Sequence, residues 1–249
     1  MVEAAARQVR VFPDLEALSV AAAREIVRIA RECIAARGRF SIALSGGNTP
    51  KRTHQLLAER QRGEIDWTLA DVLFGDERFV PQTDPRSNYK MARETLLEPA
   101  GVGDSHVHPI PTDMSSPEEA AERYEHTLGR VLSARDGWPV IDLVLLGMGP
   151  DGHTASLFPG SPALGERSRW AVAVDAPTTV QPAVPRVTLT LPVLNAARNV
   201  LFLVAGQDKR PVLRNVLGDS AAAAARYPAA LVAPGGTAVW LVEQSAMPT

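Results

Sequence analysis

The chain has 249 residues, of which 26 are basic and 28 acidic, giving a net charge of −2. No dense Lys/Arg block is present, which argues against nucleic acid or an anionic membrane as a partner, so we expect a small-molecule partner. No stretch approaches the roughly 18 apolar residues of a membrane span, and the first residues lack the apolar core of a signal peptide. The sequence therefore predicts a cytoplasmic protein.

The single cysteine, Cys33, excludes an intramolecular disulfide bond and any metal site built from several cysteines. Leu18, Ala22, Ile26 and Ile29 precede it at steps of three or four, which is the spacing of one apolar helix face. We therefore expect Cys33 to be buried.

Short apolar runs alternate with helical patterns through most of the chain. The predicted strands are Val9–Phe12, Phe40–Leu44, Asp71–Phe74, Asp142–Leu146, Ala171–Val174, Val187–Leu191, Val200–Val204 and Thr237–Val242. The predicted helices are Asp14–Ala36, Pro50–Arg62, Ser87–Glu98, Pro117–Ala134, Pro192–Ala197 and Lys209–Leu217. This alternation is typical of an α/β fold with a mainly parallel sheet and helices on both faces. Without a linker or an internal repeat, it predicts one domain over residues 1–249, with the Ala-rich segment Ser220–Arg226 as a surface turn or loop.

Ligands of such sheets bind beyond the carboxyl ends of the strands, so the segments that follow the strands are the candidates for ligand binding. After Phe40–Leu44 the chain reads LSGGNTP, in which Gly46 and Gly47 let backbone N–H groups approach an anion or a carbonyl oxygen. We expect Thr49 to cap the next helix and Pro50 to open it. The same residues also suit a plain tight turn. The P-loop pattern is absent, so a nucleoside triphosphate is not indicated.

Three charged residues, Asp76, Glu77 and Arg78, follow the strand Asp71–Phe74, and Asn88 lies on the loop into the next helix. Charge clusters are usually solvated surface, but charges at the carboxyl end of a strand point toward the expected crevice. Arg78 is suited to hold a phosphate by paired hydrogen bonds, and Asp76 or Glu77 to orient a substrate hydroxyl or a basic partner.

The segment GMGPDGHTAS follows the strand Asp142–Leu146, and its three glycines match the G-x-G-x-x-G spacing of dinucleotide-binding loops. Asp175 follows some twenty positions later, as that fingerprint asks. A dinucleotide site needs the glycine turn to open a long helix, however, and Pro150 interrupts the fingerprint while Pro159 stops any helix. The sequence therefore favours a catalytic loop.

His153 lies in this loop together with Asp151. At neutral pH a histidine can take a proton from water, and a nearby carboxylate can fix its tautomer and raise its basicity. We predict His153 as a general base. Asp151 either supports it or organises the loop.

The other histidines carry weaker signals. His54 and His126 fall on helical faces among polar neighbours, so both are expected to be exposed. His106 and His108 alternate on one segment and offer two metal ligands, but a catalytic zinc site needs three and no third is close in sequence. No metal is expected.

Two further cations follow or open late strands. Arg186 begins the predicted strand near Val187, and Lys209 lies in GQDK after Val200–Val204. With Arg78 they give three basic side chains beside carboxylates, a glycine-rich helix start and one histidine. Either of these late residues alone would suit solvated surface equally well. The whole inventory indicates a small phosphorylated substrate handled by acid/base chemistry.

Five segments in this order resemble the 6-phosphogluconolactonase family, within the group that includes glucosamine-6-phosphate deaminase: LSGGNTP, FGDERFVP with Ser87-Asn88-Tyr89, LGMGPDGHTASLFPG, PRVTLTLPVLNAARNV and GQDK. The resemblance implies a modified Rossmann-like, doubly wound α/β fold, no metal and no organic cofactor. It also implies hydrolysis of 6-phospho-D-glucono-1,5-lactone in the oxidative pentose phosphate pathway. Deaminases of the group typically continue the DGH motif as A-F-N-E-P, whereas this chain has apolar Phe158 where that carboxylate would stand. The difference favours the lactonase branch.

Resemblance and chemistry together assign roles. His153 activates a water, and the backbone amides of Gly46 and Gly47 stabilise the oxyanion. Thr49 is predicted to bind the substrate beside these two glycines. The phosphate is bound by Arg78, Arg186 and Lys209, while Asp76 and Asn88 contact hydroxyls or neighbouring side chains. A Ser45 nucleophile is an alternative, although the G-x-S-x-G elbow is absent. A sugar-phosphate sensor without catalysis is another. The protein is expected to be a monomer or a weak homo-oligomer.

Overall fold

The computed structural model describes residues 8–61, 63–178, 180–218 and 225–248. Within these ranges the strands are β1 (Gln8–Phe12), β2 (Phe40–Leu44), β3 (Ala70–Phe74), β4 (Asp76–Arg78), β5 (Ala134–Arg135), β6 (Trp138–Pro139), β7 (Leu143–Leu146), β8 (Ala171–Val174), β9 (Arg186–Leu189), β10 (Asn199–Val204) and β11 (Thr237–Glu243). The helices are α1 (Leu15–Arg37), α2 (Asn48–Arg60), α3 (Asn88–Ala92), α4 (Glu98–Ala100), α5 (Pro117–Val131), α6 (Leu191–Ala196) and α7 (Arg210–Leu217). Predicted features at Arg62 and at residues 219–224 of the Ala-rich segment lie outside the described residues.

A six-stranded sheet in the order β1-β11-β10-β7-β2-β3 forms the centre of the fold, and every neighbouring pair in it is parallel. The predicted α/β class with a mainly parallel, Rossmann-like sheet is therefore confirmed. The strand order reverses between β2 and β7, because the chain moves outward from β2 to β3 and then returns to build β7, β10 and β11. Such a switch point opens a crevice at the carboxyl ends of the two strands.

Helix α1 shows how local sequence sets the element boundaries. The Asp14 carboxylate accepts a hydrogen bond from the Ala17 N–H (2.8 Å) and caps the helix start. Gly38 ends the helix in the left-handed conformation (φ 71°) and donates to the Ile34 carbonyl (2.8 Å). Its apolar face, including Cys33, is buried as predicted.

A second, three-stranded sheet was not predicted. It is antiparallel, in the order β4-β9-β8, so two strands expected in the main sheet lie here instead. The link between the sheets is Gly75, which donates to Leu44 O of β2 (2.9 Å) and accepts from Leu189 N of β9 (2.9 Å). The small sheet therefore sits beside the carboxyl end of β2.

Several predicted helix boundaries were wrong. The segment predicted as one helix, Ser87–Glu98, consists of α3, a π-helical turn at Arg93–Leu97 and α4. Helix α5 ends at Val131, because the chain turns into the β5–β6 hairpin. Lys209 belongs to a 3-10 turn, Gln207–Lys209, and α7 starts one residue later.

The core lies on both sides of the central strands. All five residues of β2 are buried, as are the four of β7. Phe202 of β10 stacks on Trp240 of β11 with ring centroids 3.7 Å apart. Among the described helices, none has the length and apolarity to cross a bilayer.

Candidate active site

A cleft of about 640 Å³ opens at the switch point between β2 and β7. Every predicted site residue except Asp151 lines it: Gly46, Gly47, Thr49, Asp76, Arg78, Asn88, His153, Arg186 and Lys209. They come from six separate stretches of chain: two strands of the small sheet, the segments that follow β2, β7 and β10 of the main sheet, and the start of α3. The topology thus brings together the residues that the sequence singled out.

The His153 imidazole is held by Asp151. Nδ1 of His153 lies 2.5 Å from Oδ1 of Asp151, which also accepts the His153 backbone N–H (3.1 Å). Burial alone would raise the pKa of Asp151, but its hydrogen bonds with His153 and the attraction of that ring hold the pKa below its ordinary value. The pairing occupies Nδ1 and leaves Nε2 without a partner among the described residues, available to the cleft.

The loop that carries His153 depends on two glycines. A Cβ at Gly149 would overlap the His153 ring. Gly152 has φ +81° and lies under Tyr227, while its carbonyl accepts from Ala229 N (3.0 Å). No helix follows this loop before Pro159, which agrees with the sequence-based rejection of a dinucleotide site. The glycines let the backbone pass beneath the imidazole.

Two arginines face each other across the small sheet. Arg78 of β4 and Arg186 of β9 are direct cross-strand partners, an arrangement of like charges that is unfavourable in itself. Both Nε atoms are buried without a hydrogen-bond partner in the described structure. Arg186 is only 3% exposed, and burial lowers its pKa, yet a guanidinium keeps its charge at neutral pH. Two adjacent guanidinium groups with unused donors are chemically suited to an anion.

Asp76 and Asn88 stand between these cations and the loop after β2. Asp76 is buried and accepts from Ser156 Oγ (2.6 Å), and the Asn88 amide donates to the Asp76 carbonyl (2.9 Å). Asn88 lies so close to Gly46 that a Cβ there would overlap its amide. Gly46 is therefore required for this approach.

Glu77, weighed in the sequence beside Asp76, points away from the cleft. Its carboxylate accepts hydrogen bonds from the backbone N–H groups of Arg78, Asn88 and Tyr89 and from Ser87 Oγ, at 2.7 to 3.0 Å. Burial raises its pKa. Glu77 shapes the loop that presents Asn88 rather than contacting the cleft.

The start of α2 differs from the expected cap. Gly47, with φ 102°, is the N-cap residue, and Thr49 lies inside the first turn, so the prediction of a Thr49 cap was wrong. No side chain caps the helix. Its first N–H groups therefore have no intrahelical partner, and Asn48 and Thr49 of this turn line the cleft.

Lys209 is at the opposite rim, where its Nζ lies 2.5 Å from Asp208 Oδ2. Ser45 also lines the cleft, but among the described residues its Oγ donates a hydrogen bond only to Gly46 O (3.4 Å) and none to His153. That geometry does not favour a serine nucleophile.

The remaining histidines weighed in the sequence lie away from the cleft. His126 is exposed as expected, but His54 is fully buried, so that prediction was wrong. His108 Nε2 is 2.7 Å from Asp71 Oδ1, and no group of three or more His, Cys, Asp or Glu in the described residues could hold a metal ion.

Sequence reasoning missed several contributors. Ser156 and Gln181 were not singled out, although Ser156 lies within the quoted loop motif and binds Asp76. Tyr227 supports the His153 loop from a distant part of the chain. The only signal for Ser156 was its place two residues before Phe158, and no local pattern points to Gln181 or Tyr227.

Fold and cleft together define a class: a Rossmann-like α/β protein whose crevice holds a His–Asp pair beside clustered cations. A family model described as glucosamine-6-phosphate isomerases/6-phosphogluconolactonase matches residues 13–240. The chain therefore belongs to that family.

Its relatives include the 6-phosphogluconolactonase of Synechocystis sp., 41% identical over 216 residues covering 86% of each chain. The rat 6-phosphogluconolactonase is 39% identical over 244 residues, or 96% of this chain and 91% of that one. The structure of 6-phosphogluconolactonase from Trypanosoma brucei matches with a TM-score of 0.87 at 34% identity, covering 97% of both chains. A monomeric glucosamine-6-phosphate deaminase shares the fold, with a TM-score of 0.80 at 19% identity over 96% of this chain and 98% of that one.

Proposed function

We propose that this chain hydrolyses 6-phospho-D-glucono-1,5-lactone to 6-phospho-D-gluconate, a step of the oxidative pentose phosphate pathway, in the cytoplasm. The observation that carries the proposal is the His153–Asp151 pair in one cleft with the opposed Arg78 and Arg186. The relatives named 6-phosphogluconolactonase support it.

In the proposed reaction, Nε2 of His153 removes a proton from water as the water oxygen attacks the C1 carbonyl. Asp151 supports the imidazolium that forms. The tetrahedral intermediate then collapses, the bond between C1 and the ring oxygen breaks, and the proton passes to that oxygen. A water is consumed and a carboxylic acid is formed, so no cofactor is required.

The oxyanion of that intermediate is assigned to the backbone amides around Gly46 and Gly47, next to the uncapped start of α2. The phosphate is assigned to Arg78, Arg186 and Lys209. The Nε atoms of Arg78 and Arg186 have no hydrogen-bond acceptor in the described structure, and the oxygens of a bound phosphate would supply one.

Phe158 bears on the choice between lactonase and deaminase. Its ring centroid lies 4.7 Å from that of His153, so an aromatic ring, not a carboxylate, stands at this side of the base. A lactone is already at the oxidation level of an ester and requires no enolisation. We expect no ammonia release from glucosamine 6-phosphate, and substantial release would favour the deaminase.

The direct test generates the lactone from glucose 6-phosphate and follows its conversion through 6-phosphogluconate dehydrogenase, with the spontaneous opening rate subtracted. His153→Ala should lower kcat by at least about 10²-fold, the lower range for a general base. His126→Ala, on the exposed face of α5, is the matched control and should match the parent. An unchanged kcat in His153→Ala would remove this residue from the role, and ligand binding without any turnover in the parent would indicate a sensor.

A further inference from the structure

Phe158 touches both functional halves of the cleft. One contact is to the His153 ring, with centroids 4.7 Å apart and planes inclined at 46°. The other is to the Arg186 guanidinium, whose Cζ lies 5.4 Å from the ring centroid. Phe158 is itself buried, so the ring lies between the base and one of the phosphate-binding cations.

Arg186 forms no ion pair within 4 Å among the described residues, although the nearby Asp76 and Glu77 carboxylates attract its charge. Its Nη2 donates to the Pro182 carbonyl (3.0 Å), its Nε has no partner in the described structure, and its cross-strand neighbour is another arginine. A desolvated guanidinium over an aromatic face is attracted by the ring quadrupole. The Phe158 ring therefore supports this cation together with the Pro182 carbonyl and the attraction of Asp76.

We propose that Phe158 is a positioning residue that couples phosphate binding at Arg186 to the placement of the His153 imidazole; this inference rests on the proposed function. The ring is packed on both sides, and close-packed interiors transmit displacement from one neighbour to the next. An anion that fixes the guanidinium also fixes the ring, and the ring then confines the imidazole. When the substrate lacks the phosphate, the Phe158 ring and the His153 imidazole are not fixed in this way.

The coupling can be measured by supplying the reacting lactone and the anion as two separate molecules. Glucono-1,5-lactone supplies the reacting ester without the phosphate, and phosphite dianion supplies the missing anion. If Phe158 couples the two sites, phosphite accelerates hydrolysis of the unphosphorylated lactone by the parent protein. The measured quantity is the ratio of excess rates with and without saturating phosphite.

Two variants and one control isolate the ring. Phe158→Leu keeps an apolar side chain but removes the aromatic face, and Phe158→Tyr keeps the face. We expect the Leu variant to lose roughly 5- to 30-fold of the phosphite stimulation, the change that corresponds to a desolvated cation–π contact. The Tyr variant should retain it. Phe12→Leu, on the edge strand β1, is the matched control and should behave like the parent.

A second readout does not depend on turnover. The His153 Cε1–H resonance, identified by its absence in His153→Ala, should shift on phosphite titration in the parent and stay unmoved in Phe158→Leu, provided that circular dichroism shows both folded. Equal stimulation in the parent and the Leu variant, or no stimulation and no resonance shift in the parent, would overturn the coupling. Failure of the proposed function has a different signature: the parent would not accelerate hydrolysis of the phosphorylated lactone, and the resonance experiment would still decide the coupling.

Discussion

A histidine without a hydrogen-bond partner lies in the middle of α2. His54 is 0% exposed, and neither ring nitrogen has an acceptor or donor in the described structure. Its polar sequence neighbours suggested an exposed face, but α1 packs along one side of α2 while α4 and the π-helical turn pack along another. The sequence of one helix cannot reveal how many neighbours will cover it.

This burial gives a pH-dependent stability. Burial lowers the pKa of His54 in the native state to about 4. In the unfolded chain this histidine is protonated near pH 6.5, whereas in the native state it is protonated only near pH 4. The contribution of neutral His54 to the free energy of unfolding is therefore fully present above about pH 6.5. It declines by roughly 1.4 kcal/mol per pH unit as the pH falls toward 4. Urea unfolding of His54→Leu between pH 7 and 4 should show a shallower decline than the parent. His126→Leu should reproduce the parental slope, and an unchanged slope in His54→Leu would contradict the assignment.

At the scale of elements, the loop after β7 is the least regular part of the site. Its glycines and prolines identified it as a loop, and its His and Asp identified its chemistry. The path of its backbone, however, depends on Tyr227 and Ala229, which meet it only in the folded molecule. Likewise, the three charged residues of β4 carry no strand pattern, and they become a strand because β9 pairs with them.

The loop yields a steric prediction. In Gly149→Ala the new methyl group would overlap the His153 ring, so the ring must move. Because a misplacement of about 1 Å can cost about 10²-fold in rate, we expect kcat to fall by that order with the fold retained. Gly165→Ala, where a Cβ meets nothing within 4 Å, serves as the control in the same lactonase assay. A Gly149→Ala protein with parental kcat would show that the ring is not confined by this glycine.

At the scale of the whole molecule, the six parallel strands and most helices followed from alternating apolar runs. The assignment of two strands to a separate sheet did not, because an apolar run records burial and not the identity of its neighbour. The buried residues from Leu18 to Ala246 form a connected cluster. We propose a single domain, and thermal unfolding in one calorimetric transition with equal calorimetric and van't Hoff enthalpies would support it, whereas two resolved transitions would refute it.

We predict that an anion bound at the opposed arginines, Arg78 and Arg186, stabilises the whole protein. A ligand that binds only the native state adds stability in proportion to the logarithm of its concentration. Inorganic phosphate at about 100 times its Kd should therefore raise Tm by about 5 °C or more for a chain of this size. Arg186→Met should reduce the rise. Sodium chloride at equal ionic strength is the control, and an equal rise with chloride would indicate screening, not a site.

Gly75 joins two sheets that carry different parts of the proposed site. The arginines proposed to bind the phosphate, Arg78 and Arg186, lie on the small antiparallel sheet, and the proposed base His153 lies on a loop of the parallel one. We therefore expect substitutions in the residues after the DGH motif to change the reaction while Arg78 and Arg186 still bind the phosphate. Phe158 contacts both His153 and Arg186, so directed evolution toward a new reaction on the same phosphorylated substrate should find this position the hardest to change alone.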